Sequence, residues 1–194
     1  MRLWGHIIKP MGSRFRQMMQ DRSGIGAVEF ALIVPLLLLL YLGAFELTLG
    51  LGIASRATSS AGAIADIVAR KESSFTKSFL ATMPDVAAGI FAPKSTTGYG
   101  LKISGIQVDA SLNGKIVWSW AQDGTTPYVV GAAVTLPSGM AAASTSFVHV
   151  EFSIPYRLVA YLPGMAGSSA STITISRDYY YRQRTTDAVT CSDC

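Results

Sequence analysis

Residues 30–45 read FALIVPLLLLLYLGAF, a run of sixteen residues without a charged side chain. As an α-helix this run would be about 24 Å long, a little short of the roughly 30 Å hydrocarbon core of a bilayer. Extending it meets one carboxylate on each side, Glu29 before it and Glu46 after it. The sequence therefore predicts a membrane-spanning helix within residues 25–47. Pro35 is compatible with this helix, because spanning helices tolerate the local kink that a proline causes.

The charged residues before this run indicate the orientation of the helix. The charged side chains of residues 1–24 are Arg2, Lys9, Arg14, Arg16, Asp21 and Arg22. Five basic and one acidic side chain leave a surplus of four, which equals the net charge of +4 of the whole chain. Because basic flanks stay in the cytoplasm, we predict a cytoplasmic basic leader at 1–24, with the C-terminal part outside. The basic character is local and does not indicate nucleic-acid binding.

Two simpler interpretations of this N-terminus are open. A secretory signal peptide also places a basic segment before an apolar one, but its apolar core is usually about 7–15 residues and ends at a small-x-small cleavage site. The run in this chain is longer, and no strong site of that kind follows it. The second interpretation is a plain signal anchor that stays uncleaved. The residues just before the run bear on the choice between an anchor and a processed precursor.

The segment RSGIGAVEF, residues 22–30, resembles the processing site of type IV pilin-like precursors. In that family a prepilin peptidase cuts after a glycine, and a glutamate stands at the fifth position of the mature chain. The resemblance implies cleavage after Gly24, which would make Ile25 the first residue and Glu29 the fifth. Phe30 is similar to the aromatic residue that accompanies this glutamate in the tight-adherence branch. On these residues the chain resembles TadE-like minor pseudopilins of the tight adherence (Tad/Flp) type IV pilus system.

The same resemblance implies a role for Glu29. Cleavage would leave a free amine at Ile25, and the Glu29 carboxylate would lie about 6 Å further along the helix axis. A carboxylate carried into the membrane is costly unless it has a partner. In pilin-like assemblies the implied partner is the N-terminal amine of a neighbouring subunit. The simpler interpretation places Glu29 at the membrane interface close to Arg22, with no partner subunit.

The helical pattern continues beyond the membrane segment, and residues 48–70 are predicted to extend the helix outside the bilayer. Apolar residues recur there at spacings of three and four, which is typical of one apolar stripe on a helix. The stripe comprises Ile53, Ala57, Ala61, Ile64 and Val68, and the opposite face carries Arg56, Ser59, Ser60 and Asp66. Small residues that would let another helix approach closely are Gly43, Gly50, Ala57 and Ala61. The stripe therefore packs on another helix, on the chain's own domain, or on both.

Residues 71–194 are predicted to form the extracytoplasmic domain. A second amphipathic helix across 74–91 comes first, and Pro84 divides it into two pieces. Alternating apolar residues then predict four strands, at about 101–110, 115–121, 145–158 and 171–183. The stretches at 122–144 and 163–170 are rich in Gly, Ser and Ala and are predicted as loops. The expected fold class is α+β, a long N-terminal transmembrane helix that leads into a pilin-like domain with an antiparallel sheet of about four strands. This order of elements resembles the domain of TadE-like proteins.

The sequence allows two environments for Trp118 and Trp120. Asn113-Gly114 is a strong signal for a two-residue hairpin turn, and that register would turn Trp118 and Trp120 away from the apolar side of the sheet. A bulge near Gly105 would instead return them to the core. The two tryptophans are therefore either core residues or a candidate partner surface.

The sequence shows no pattern typical of an enzyme, a cofactor site or a metal site. His149, with Glu151 on the same strand face, is the only histidine of the outer domain, and we expect it at a surface or on an edge strand. One histidine does not supply a usual zinc site. Cys191 and Cys194 match C-x-x-C, but they end the chain after a β-pattern, without the helix N-terminus that activates a catalytic pair. Outside the cytoplasm they are candidates for a disulfide, either within the chain or to a partner.

The resemblance implies a non-enzymatic minor pseudopilin that takes part in assembly or priming of a tight-adherence pilus. Its expected partners are prepilin peptidase, other pilin and pseudopilin subunits with the pilus assembly machinery, and membrane lipid, with no nucleic acid, cofactor or small-molecule substrate. The expected location is the bacterial inner membrane, crossed once, with the outer domain in the periplasm or in the pilus. The alternatives are an unprocessed signal-anchored binding module and a pseudopilin of a type II-like secretion system.

Overall fold

The computed structural model describes residues 24–71, 74–159, 171–183 and 190–194. Residues 1–23 of the predicted basic leader and the predicted loop at 163–170 lie outside these residues. The chain divides into two compact units, Met1–Phe45 and Glu46–Cys194.

In the first unit, the described residues form the beginning of one long helix, α1 (Ile25–Ala69). This helix continues into the second unit. All 45 residues are helical, with Pro35 inside the helix, so the prediction of one helix from the membrane segment to residue 70 is confirmed. Its apolar side chains before Glu46 are largely exposed. Within the described ranges, α1 is the one helix that is long and apolar enough to cross a membrane.

The second unit begins with the outer part of α1, which packs into a hydrophobic core. The buried residues of α1 are Ala54, Ala57, Ser60, Ala61, Ile64, Ala65, Val68 and Ala69. The predicted apolar stripe is therefore confirmed, and it packs on the chain's own domain. Ser60 was expected on the polar face and is buried instead, because the covered arc of the helix is wider than the stripe.

Two short helices follow, α2 (Lys77–Leu80) and α3 (Met83–Phe91). Pro84 lies in the first turn of α3, where its missing N–H costs nothing. This confirms that Pro84 divides the predicted second helix. The end of α3 is held against α1 by Arg56, whose guanidinium donates to the carbonyl oxygens of Phe91 at 2.9 Å and Ala92 at 3.1 Å.

The sheet contains five strands, β1 (Gly100–Val108), β2 (Gly114–Ala121), β3 (Ala133–Val134), β4 (Ser146–Arg157) and β5 (Thr172–Arg182). Their order across the sheet is β3-β2-β1-β4-β5, and each neighbouring pair is antiparallel. The α+β fold class is therefore confirmed. Of the five strands, only β3 was not expected, because it is two residues long and lies in a stretch predicted as a loop.

The β1–β2 hairpin differs from the predicted two-residue turn. Val108 pairs with Gly114, so residues 109–113 form the loop. The carboxylate of Asp109 organises this loop by accepting the N–H groups of Ser111 and Asn113, each at 2.9 Å. Leu112 takes a positive φ of 65° in it. The asparagine-glycine signal therefore marked the hairpin correctly but gave the wrong register.

A bulge in β2 decides the position of the two tryptophans. Ile106 pairs with Ile116 whereas Gly105 pairs with Trp118, so Val117 is the extra residue. This shift turns Trp118 and Trp120 into the core, where they are 2% and 8% exposed. The proposal of a partner surface on the tryptophans is therefore wrong, and the bulge predicted near Gly105 is confirmed. The absence of a side chain at Gly105 leaves room for the indole of Trp118.

The sheet has a hydrophobic cluster on each face. The larger one joins the helices to the side chains of Leu101, Ile103, Trp118, Trp120, Val148, Val150, Phe152 and Ile154. The smaller one contains Ile106, Val108, Ile116 and Phe147, and residues from the loop 122–144 pack against it, among them Tyr128, Leu136 and Met140. The predicted long loop is thus the cover of the second sheet face.

Candidate functional site

The predicted processing segment lies at the start of α1. Gly24 immediately precedes the helix, and Gly24, Ile25, Glu29 and Phe30 are all exposed. A methyl group added to Gly24 would meet no atom within 4 Å. The four predicted residues therefore lie at the exposed start of α1, over Gly24 and the first two helical turns. Cleavage after Gly24 stays a prediction.

The carboxylate of Glu29 lies on the second turn of this exposed segment. Within the described residues, no hydrogen bond or ion pair involves its side chain. One helical turn separates it from Ile25, so both groups face the same side of α1.

Sequence reasoning missed the role of the second carboxylate, Glu46. Its Oε1 accepts a short hydrogen bond from the hydroxyl of Tyr156, and its Oε2 accepts one from the N–H of Val159 at 3.0 Å. Burial of the ring and this hydrogen bond raise the pKa of Tyr156 to about 12. Tyr156 is 110 residues further along the chain, and no local pattern indicates a pair so far apart.

The C-terminal cysteines form a disulfide with each other, at a Cα–Cα distance of 5.5 Å. The tail that carries them docks beside Phe75, whose N–H donates to the carbonyl of Thr190 at 3.1 Å and whose carbonyl accepts the N–H of Ser192 at 2.9 Å. Asp193 lies next to the pair, and its carboxylate accepts the N–H of Lys77 at 2.7 Å. These hydrogen bonds attach the tail near the start of α2, and the disulfide closes a short loop within the tail.

His149 differs from its predicted position. It lies on β4, which is flanked by β1 and β5, and it is only 8% exposed. Its ring stacks on Tyr180 at 4.1 Å between centroids. Burial lowers the pKa of His149, against the opposing effect of the negative charges of Glu151 and Asp178. The expectation of a surface or edge-strand histidine is therefore wrong, because the loop 122–144 and Tyr180 cover this part of the sheet.

The next residue on that face, Glu151, accepts a hydrogen bond from the hydroxyl of Tyr128 at 2.6 Å. Burial and this bond raise the pKa of Tyr128 to about 12. The bond fastens the covering loop to β4. Among the described residues, the ligand atoms of His149 and Glu151 do not belong to a cluster of three close metal ligands, whereas those of Cys191, Asp193 and Cys194 lie within 4.8 Å of one another. The two sulfur atoms of that cluster are joined in the disulfide.

The exposed apolar half of α1 and the α+β unit that follows it are typical of a membrane-anchored protein. Residues 24–66 match the family model described as TadE-like protein. No curated protein and no solved structure gives a significant match to the chain. The resemblance to TadE-like proteins is therefore confirmed for residues 24–66, a segment that begins at Gly24 and ends inside α1, whereas the resemblance of residues 71–194 stays a prediction.

Proposed function

We propose that the protein is a minor pseudopilin that takes part in the assembly or priming of a tight-adherence pilus. The observation that carries this proposal is the match of residues 24–66 to the TadE-like family. That segment contains the glycine, the glutamate and the exposed apolar helix that pilin-like processing and packing require. An anchored binding module needs the apolar helix but neither Gly24 nor Glu29.

In this proposal prepilin peptidase cuts the peptide bond between Gly24 and Ile25 and removes the basic leader. The new amine of one subunit then pairs with the Glu29 carboxylate of its neighbour. An unpaired charge within the bilayer costs about 2.5–3.5 kcal/mol on insertion scales, so this pairing would favour one axial register between stacked helices. The exposure of Gly24 and Glu29 supports the step, because both groups are accessible to another protein.

The outer domain determines which kind of subunit we propose. Major subunits of tight-adherence pili resemble short, nearly all-helical chains, whereas this chain continues into a five-stranded unit. We therefore infer a minor component, placed in the inner membrane with the domain on the outer side. We propose a structural role without catalysis, with other pilus subunits and membrane lipid as partners.

The test is mass spectrometry of the protein extracted from membranes of its native host. Gly24→Val is compared with Gly43→Val, because an added Cβ meets no atom within 4 Å at either glycine. We expect a mature N-terminus at Ile25 in the wild type and in Gly43→Val, and an unprocessed chain in Gly24→Val. An intact leader in the wild type, in a host with active prepilin peptidase, would refute processing and leave the anchored binding module.

The assembly step has its own variant. Glu29→Gln keeps the shape of the side chain and removes its charge. We expect this variant to be processed normally but to lose surface pili, which electron microscopy of the host would show. Normal piliation with a processed Glu29→Gln subunit would contradict the pairing.

A further inference from the structure

The loop over the second sheet face is joined to β2 and to β4 by different kinds of bond. We call this loop, residues 122–144, the cover. On β2 the backbone holds it, because the Ile116 N–H donates to a carbonyl of the cover at 3.0 Å and the Ile116 carbonyl accepts the N–H of Gly131 at 2.8 Å. To β4, within the described residues, it has one hydrogen bond, from the Tyr128 hydroxyl to Glu151 at 2.6 Å. The cover is therefore attached to β2 by backbone and to β4 by a single side chain.

The smaller hydrophobic cluster lies beneath the cover. The residues of the cover that pack against this cluster are Tyr128, Val134, Leu136 and Met140. The helices and the two C-terminal cysteines pack instead with the larger cluster, on the opposite face of the sheet. Because different segments bury the two clusters, the smaller one can be exposed while the larger one stays buried.

His149 lies on the covered face, in a row of polar side chains that crosses the sheet. Ser104 is directly opposite it on β1 and Tyr180 is directly opposite it on β5, while Ser119 on β2 pairs with Ser104. The hydroxyl of Ser119 donates to the carbonyl of Tyr128 at 2.8 Å and accepts its N–H at 3.1 Å. Within the described residues, Nε2 of His149 and Oγ of Ser104 are buried without a hydrogen-bond partner.

The surroundings of His149 favour a neutral ring. A protonated ring donates from both nitrogens, and among the described residues Nε2 has no acceptor. The charged and titratable groups around it on this face are Lys102 on β1, Glu151 on β4, Asp178, Tyr180 and Arg182 on β5, and Tyr128 in the cover. Burial lowers the pKa of His149, although the charges of Glu151 and Asp178 oppose this effect. A protonated ring is therefore more stable where water reaches it.

Protonation also acts on the side chain that joins the cover to β4. Glu151 is two residues from His149 on the same face of β4, about 7 Å along the strand. Its carboxylate accepts the hydroxyl of Tyr128, and a positive charge on His149 attracts the same carboxylate. The charged ring therefore competes with the Tyr128 hydroxyl for Glu151.

We propose that the cover is a pH-sensitive lid over the smaller cluster. Protonation of His149 releases Tyr128 from Glu151, and the cover moves away from β4 while its backbone bonds to β2 remain. The open form exposes the smaller cluster to solvent and leaves the larger cluster buried. This inference goes beyond the proposed function and does not rest on it.

The test measures how fast a thiol reagent labels a buried cysteine in the full chain in detergent, with the native disulfide left oxidised. Val108→Cys places the thiol in the smaller cluster, and the matched variant Val150→Cys places it in the larger one. The two valines are 1% and 0% exposed, so labelling requires opening in both variants. Rates are measured at about pH 5 and about pH 7.5, on either side of the ordinary histidine pKa. Each rate is divided by that of the same thiol in the unfolded chain.

Two results are expected from this pair. Val108→Cys should be labelled about tenfold faster than Val150→Cys at either pH, because local opening costs less free energy than global unfolding. Its labelling should be about fivefold faster at the lower pH, since each pKa unit between the closed and the open ring changes the opening equilibrium up to about tenfold. Equal rates for the two thiols would show that only global unfolding occurs and would overturn the inference. Labelling of Val108→Cys that does not respond to pH would overturn it as well.

A substitution of His149 identifies the group that titrates. His149→Phe keeps a ring against Tyr180 and removes the titrating group, so Val108→Cys should then be labelled at the same rate at both pH values. The rate for Val150→Cys in the same background checks that the domain stays folded. An acid response that persists in His149→Phe would assign the effect to another group and overturn the inference.

A substitution of Tyr128 tests the attachment to β4. Tyr128→Phe removes the hydrogen bond to Glu151, so the labelling of Val108→Cys at the higher pH should rise about threefold to tenfold. The control is Tyr179→Phe, an exposed tyrosine on β5 outside the cover, which should leave this rate unchanged. A rate in Tyr128→Phe equal to that of the control would show that this bond does not hold the cover closed and would contradict the inference.

Discussion

The hydroxyl of Tyr156 donates a hydrogen bond to the carboxylate of Glu46, a residue 110 positions earlier in the chain. Glu46 follows directly on the apolar run, and Tyr156 is close to the end of β4. The bond therefore joins α1, at the point where the second unit begins, to the end of β4. A carboxylate that local reasoning assigns only to the end of a membrane helix is in fact part of the tertiary structure.

Removing this acceptor should destabilise the outer domain. Glu46→Ala leaves the hydroxyl of the buried Tyr156 without its partner, which costs about 1–3 kcal/mol, whereas the N–H of the exposed Val159 can bond water instead. The loss is measured as the free energy of unfolding of the full chain in detergent. Glu46→Ala combined with Tyr156→Phe should recover part of it, because the unpaired hydroxyl is then gone. A stability equal to the wild type in Glu46→Ala would show that the bond contributes nothing.

The domain should lose stability at alkaline pH. The pKa of Tyr156 and that of Tyr128 are each raised from 10.0 to about 12 in the folded chain, by burial and by a hydrogen bond to a carboxylate. Because the folded values are higher, the unfolded chain releases these protons first. The two hydroxyls therefore make their full contribution to the free energy of unfolding below about pH 10. This contribution is lost as the pH rises towards 12. The loss is measured as the decrease in the free energy of unfolding between pH 9 and pH 12. The double variant Tyr156→Phe, Tyr128→Phe should show a smaller decrease than the control variant Tyr179→Phe.

His149 should destabilise the domain under mildly acidic conditions. Its folded pKa lies below the ordinary value of 6.5, chiefly because burial disfavours the charged ring, and Glu151 and Asp178 oppose this effect. The contribution of His149 to the free energy of unfolding is complete above about pH 6.5. It decreases as the pH falls towards the pKa of His149 in the folded chain. NMR titration of the ring should give a midpoint below 6.5. His149→Phe should keep the stack on Tyr180 and weaken the pH dependence of unfolding, and a midpoint above 6.5 would contradict the burial effect.

Gly105 should not tolerate a side chain. The methyl group of Gly105→Ala would overlap the indole of Trp118, which is 2% exposed and packed edge-on against Phe75. Overpacking of this kind typically costs about 1–3 kcal/mol. The control is Gly89→Ala in α3, where an added methyl group meets no atom within 4 Å and the helix should gain up to about 1 kcal/mol. Chemical unfolding of the two variants should therefore shift in opposite directions, and an unchanged Gly105→Ala would contradict the register at the bulge.

Loss of the C-terminal disulfide should free the tail more than it destabilises the domain. A loop closed over a sequence separation of 3 contributes at most about 2 kcal/mol by the chain-entropy model. In Cys191→Ser with Cys194→Ser, the hydrogen bonds from Phe75 and Lys77 to the tail should open more often. Hydrogen exchange at these two amides is the measurement. The control Asp193→Ala keeps the disulfide and should accelerate hydrogen exchange at the Lys77 amide alone. If the double cysteine variant and Asp193→Ala have the same effect on the two amides, the disulfide does not hold the tail in place.

The elements of this fold could be predicted where the pattern is local. The single long helix follows from a run with no charge and no breaker, and the break at Pro84 follows from the geometry of proline. The strands from 145 and 171 follow from alternation over ten or more residues. The resemblance at Gly24, Ile25, Glu29 and Phe30 likewise rests on adjacent residues, and the family match begins at Gly24.

Three features could not be predicted because distant residues decide them. The register of the first hairpin depends on the Asp109 loop and on the space above Gly105, and a shift of one residue moves each following side chain to the other face. The burial of His149 depends on a loop that Tyr128 fastens to Glu151. The position of the C-terminal tail depends on backbone groups of Phe75 and Lys77.

The sequence by itself determined the long apolar helix, the α+β order of elements and the pilin-like segment at Gly24. Each of these depends on the periodicity or chemistry of neighbouring residues, which tertiary contacts do not alter. Only the tertiary structure decided that Trp118 and Trp120 are core residues and that Glu46 binds Tyr156. The physical reason is that register and long-range hydrogen bonds are settled by packing between segments far apart in the chain.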